Sequence, residues 1–115
     1  MGRESGSGGW PNIDARANRR VELKVPVECK TGVQSIAGMT ENIGLRGVLV
    51  RSERTCPWDE LVSISFSLPD SSEVLTLGAR LAHVVPDVFM GLEFLELSPG
   101  AREKIEQYVL AVSQK

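Results

Sequence analysis

Histidine, cysteine and aromatic residues are all scarce in this chain, and each shortage closes off a class of function. The only histidine, His83, lies in strand-like sequence, with no Gly-x-Ser-x-Gly turn or comparable nucleophile in the chain. It reads as a packed or surface strand residue rather than a catalyst. The acids are scattered, with no pair spaced for acid/base work. Cys29 and Cys56 stand apart without CxxC spacing, so no zinc-site pattern is present. With no secretory signal, they are expected to be reduced thiols in a cytoplasmic protein. Aromatics make up 5% of the residues and the net charge is -2, a poor match to a protein that coats or stacks on a nucleic acid polymer. No apolar run approaches the ~18 residues that span a membrane. The expectation is therefore a protein without catalytic residues, metal, resident cofactor or membrane insertion.

What is present is aliphatic. A hydrophobic fraction of 42% over 115 residues supports one domain whose core rests on Val, Leu and Ile. Residues 1–13, rich in Gly and Ser, offer little to bury and are expected to be flexible, leaving 14–115 as the folded domain. Val21, Leu23, Val25 and Val27 alternate with polar residues, which predicts a strand with one buried face. Pro26 within it marks an edge or a bulge. Further strands are predicted over Ser35 to Thr40, around Val48 to Val50, and at Leu61, Ile64, Phe66 and Leu68. The next covers Val74 to Val85, with Leu75, Leu77, Ala79, Leu81 and His83 as its alternating set, and the last is Phe89 to Leu95. Short strands with turns every ten or so residues predict an all-β antiparallel barrel. Ser98 as N-cap, Pro99 after it, and apolar Ala101, Ile105, Tyr108, Val109 and Val112 predict a C-terminal amphipathic helix.

Two local clusters stand out. Arg16-Ala-Asn-Arg19-Arg20 places three arginines within five residues directly before the first strand. A guanidinium can grip a phosphate with two parallel hydrogen bonds and stack on a base, although a solvated basic turn has the same composition. Asn42-Ile-Gly44-Leu-Arg-Gly47 joins two strands. Its glycines suit positive φ angles or a close backbone approach, and Asn42 can both donate to and accept from the edge of a base. An ordinary strand connection is the alternative.

In this order and spacing the clusters resemble the PilZ domain family, whose pattern is RxxxR followed by [D/N]xSxxG. The first motif is Arg16 to Arg20, running into Val21-Glu-Leu-Lys-Val-Pro-Val27, and the second is Asn42 to Gly47. The ending Met90-Gly-Leu-Glu-Phe94, Leu97-Ser-Pro and a helix is also similar. The resemblance covers residues 14 to 112. It implies a six-stranded antiparallel barrel with a C-terminal α-helix that binds cyclic di-GMP. Arg16 and Arg20 would hold phosphate and guanine, Asn42 a guanine edge, and Gly47 would permit the turn, with Arg19 assisting or facing solvent.

The chain departs from the family pattern at Gly44, where the pattern has serine. The missing hydroxyl costs about 0.5–1.5 kcal/mol of net hydrogen bonding. Binding is therefore expected to be weakened rather than abolished, and Gly44→Ser to tighten it modestly. The implied function is a second-messenger receptor that hands ligand occupancy to a partner protein, acting as monomer or homodimer. The alternative is a nucleotide-free adaptor working through protein contacts in motility, polar localisation or exopolysaccharide control.

Overall fold

The computed structural model describes residues 19–56 and 61–114. The predicted flexible segment 1–13 and Arg16 lie outside the described residues. Among the described residues, seven strands and one helix follow one another: β1 Arg20–Glu22, β2 Pro26–Lys30, β3 Ser35–Gly44, β4 Gly47–Arg51, β5 Leu61–Phe66, β6 Leu75–Val85, β7 Phe89–Phe94 and α1 Pro99–Ser113. All pairings are antiparallel. β3, β2, β5, β6, β7 and β4 follow in hydrogen-bonded order, and β4 pairs back onto β3, so six strands close a barrel. β1 is the extra strand, added beside the end of β3.

The expected first strand thus divides in two. β1 pairs with Asn42–Gly44 of β3 and β2 with Ser35–Met39, both along the same edge. Proline forces the break, because Pro26 has no N–H for the ladder and holds Val25 in extended backbone. Thr40, fully buried, bridges the gap. Its hydroxyl donates to the Leu23 carbonyl and accepts from the Val25 N–H, while its own N–H donates to the Val25 carbonyl.

Inward residues come from the alternation: Val27 and Cys29 on β2, Val62, Ile64 and Phe66 on β5, and Leu75, Leu77, Ala79 and Leu81 on β6 are all buried. Two residues depart from expectation. Leu61 is out of phase with Ile64 and Phe66 and stays 58% exposed. His83 should continue the inward set of β6, but the β6–β7 register shifts between Leu81 and His83. The extra residue, Ala82, turns His83 to the outer surface.

Cys29 and Cys56 are both buried, and neither forms a disulfide. Burial first, then the neighbouring Cys56 and Glu28, pushes the Cys29 thiol up to about 12. It packs as a small apolar residue.

α1 packs on β1 and β3 through Ala101, Ile105 and Val109. Its start follows the sequence: Ser98 caps by accepting from the Ala101 N–H at 3.2 Å, and Pro99 opens the first turn. The Tyr108 hydroxyl donates to the Glu22 carbonyl at 2.8 Å, fastening the helix to β1. No described helix is long and apolar enough to cross a membrane.

Candidate functional site

The sequence clusters meet where β1 lies on the end of β3. Arg20 stands in register with Gly44 and Glu22 with Asn42. Across this pairing the Arg20 Nε donates to Asn42 Oδ1 at 2.6 Å. One edge of the guanidinium is thereby fixed, and its terminal nitrogens donate to no described residue. Partial burial lowers the Arg20 pKa from its ordinary value, yet a guanidinium stays charged in any protein setting. The amide nitrogen of Asn42 donates to no described residue, so it remains available to a ligand acceptor.

Beside this pair runs an open groove of about 330 Å³, lined by Arg20, Asn42, Arg46, Gly47, Leu49, Ala82, His83, Gly91 and Glu93, among others. Its volume lies in the small-molecule range. Apolar and small residues form its walls, with charges of mostly positive sign around them. A larger hollow of about 720 Å³, along Pro26, Phe66, Pro69 and Val74, has Glu28 and Asp70 and no basic side chain in its lining. An anion is served by the first groove, not the second.

Two further cations nearby are paired with a carboxylate. Lys24 and Arg51 both bind Glu41, at 2.5 and 2.9 Å. These two hydrogen bonds hold the Glu41 carboxyl below the usual carboxylate range. Arg51 also lies over the Phe89 ring, 4.6 Å from its centroid.

The two glycines act through close approach rather than positive φ. Neither has a left-handed backbone. A Cβ at Gly47 would lie 2.2 Å from the Leu92 carbonyl oxygen, because the β3–β4 turn is drawn onto β7. There the Phe94 N–H donates to the Arg46 carbonyl at 2.8 Å. A Cβ at Gly44 would lie 2.6 Å from the Arg19 carbonyl oxygen and 3.3 Å from Arg20 Cγ.

The second contact changes the meaning of the missing serine. Any side chain at 44 pushes on the β1 backbone that carries Arg20, so serine here is not a simple gain of one hydroxyl. Gly44→Ser is expected to lower stability by ~1–3 kcal/mol, the usual cost of overpacking, read as a shifted midpoint in chemical denaturation.

Of the residues expected at the site, Arg20, Asn42, Gly44 and Gly47 come together, and Arg19 contributes its carbonyl over Gly44 with an exposed side chain. Arg16 lies outside the described residues. Sequence reasoning missed Arg46, His83 and Glu93 in the groove lining. Arg46 stood inside the quoted motif. His83 and Glu93 reach the groove only through strand pairing, which no local spacing reveals. Among the described residues no cluster of three or more His, Cys, Asp or Glu could hold a metal.

The PilZ domain family model matches residues 14–111. No curated protein matches the chain. Among solved structures, the inhibitor of motility MotI/DgrA of Bacillus subtilis superposes with a TM-score of 0.71 at 17% identity, over 83% of this chain and 49% of that one. The PilZ domain of CeSA from a cellulose-synthesizing bacterium gives 0.67 at 19% identity, over 84% and 99%. YcgR of Escherichia coli, solved in complex with c-di-GMP, gives 0.69 at 13% identity, over 84% and 45%. The chain spans about half the length of MotI/DgrA and YcgR. At these identities the structures establish a shared fold, and with the family match over most of its length the chain belongs to the PilZ domain family.

Proposed function

We propose that this PilZ domain is a receptor for cyclic di-GMP that passes ligand occupancy to a partner protein. The observation that carries the reading is the Arg20–Asn42 hydrogen bond at the edge of the groove. It fixes a guanidinium fork and leaves an amide donor beside it. Cyclic di-GMP offers complementary chemistry, with two phosphates for the fork and two guanines with acceptor edges for the amide. In this reading Arg16 joins Arg20 on the phosphates, and Arg46 adds positive charge across the groove. The domain binds and does not catalyse. It acts in the cytoplasm, without nucleic acid polymer or membrane insertion, as monomer or homodimer.

A route for transmission supports the receptor reading. A ligand pulling on Arg20 pulls on β1, and the Glu22 carbonyl on the same strand holds the Tyr108 hydroxyl of α1. Movement of β1 therefore reaches the helix surface, where a partner can read it.

Titration calorimetry of the protein with cyclic di-GMP tests the proposal. Saturable heat with a dissociation constant in the micromolar range or below is expected. No heat at high micromolar ligand would overturn the receptor reading in favour of the nucleotide-free adaptor. Gly44 is the specific observation on that second side, since the β1 backbone closes over it where the family pattern carries a serine. On the receptor reading, Gly44→Ser weakens binding, because displacing β1 displaces Arg20. This reverses the gain expected from the sequence.

A further inference from the structure

The bulge at Ala82 gives the groove a residue that neither motif contains. Inward residues of β6 run Leu75, Leu77, Ala79, Leu81, and unbroken pairing would point His83 into the barrel. Instead the register shifts by one residue, His83 pairs with Gly91 and becomes exposed, and it lines the same groove as Arg20, Asn42 and Arg46. Bulges recur beside functional sites because they re-aim one side chain at small cost to the sheet. β7 accommodates this one with glycine, since a Cβ at 91 would lie 2.8 Å from the His83 Cβ. The His83 side chain forms no hydrogen bond or ion pair with any described residue.

We propose that His83 is a ligand-contacting residue whose protonated imidazole binds a phosphate of the cyclic dinucleotide, making affinity dependent on pH. The inference rests on the receptor reading above. The charged groups around the groove are Arg20 on β1, Arg46 in the turn between β3 and β4, and Glu93 on β7, with Arg80 on the same strand as His83. Between pH 6 and 8 guanidinium groups and ordinary carboxylates keep their charge, while imidazoles change theirs. The sign follows directly. A phosphodiester is anionic throughout this range, so the protonated imidazole attracts it and the neutral one does not. Affinity rises as pH falls.

His83 is the only histidine in the chain, which makes the test clean. Cyclic di-GMP is titrated into wild type, His83→Gln and His83→Asn at pH 6 and pH 8 at equal ionic strength. Wild type is expected to bind about three- to tenfold tighter at pH 6, the range for a charge-assisted but solvent-exposed contact. Both variants are expected to lose that difference while keeping the wild-type melting temperature. Saturable binding by wild type with no pH dependence, or the same dependence in the variants, would overturn the role of His83 and leave the receptor reading standing. Absence of wild-type binding at both pH values would overturn both.

Discussion

Arg20→Ala is expected to lower cyclic di-GMP affinity about ten- to a hundredfold while leaving the fold almost untouched. A hydrogen bond to a charged group contributes ~1.5–3 kcal/mol, and each 1.4 kcal/mol is a factor of ten. Among the described residues, the Arg20 side chain gives up its exposed bond to Asn42, so the melting temperature should move by no more than a few degrees. Arg20→Lys separates charge from geometry. An ammonium keeps the attraction but cannot bond Asn42 and a phosphate through one rigid plane. It should bind more weakly than wild type and more tightly than alanine. Equal affinity of Arg20→Lys and wild type would show that the fork is not what the ligand reads.

Gly47→Ala should have the largest effect on stability. The added methyl would sit 2.2 Å from the Leu92 oxygen, 3.2 Å from its carbonyl carbon and 3.3 Å from Glu93 Cα. All three are backbone atoms, so no side chain can rotate away. Relief requires opening the β4–β7 ladder at Gly47–Glu93 and Val48–Leu92, the pairing that helps close the barrel. A loss of about 3 kcal/mol or more is expected, seen as a fall of more than ~10 °C in melting temperature. Gly100→Ala is the matched control. Nothing lies within 4 Å of its Cβ position at the start of α1, and alanine is the better helix former. Its melting temperature should hold or rise slightly.

The barrel was legible because alternation is a local signal: Ile64, Phe66 and Leu68 declare a buried face without reference to any partner. So was α1, whose Ser98 and Pro99 announce a start. The division of the first strand was hidden. Val21, Leu23, Val25 and Val27 keep one parity across the break, and what changes at Pro26 is how the backbone pairs along β3. His83 was hidden for a related reason, since one extra residue in β6 reverses its face and Ala82 carries no mark of it.

The site divides along the same line. Arg20, Asn42 and the glycines were visible as residue types at a spacing. The reason for glycine was not, because the crowding atoms are the carbonyl oxygens of Arg19 and Leu92, brought in by tertiary pairing. Gly44 therefore looked like a lost hydroxyl and proves to be the place where β1 closes on β3.

The central claim is that the ligand sits in the groove bounded by Arg20, Asn42, Arg46 and His83. Amide chemical shifts of isotope-labelled protein during titration with cyclic di-GMP test it most directly. The account predicts saturable shifts at Arg20, Asn42, Gly44, Gly47, His83 and Gly91, with Gly32 and Ser71 unmoved. Shifts centred on the hollow beside Pro26 and Val74, or none at saturating ligand, would contradict it.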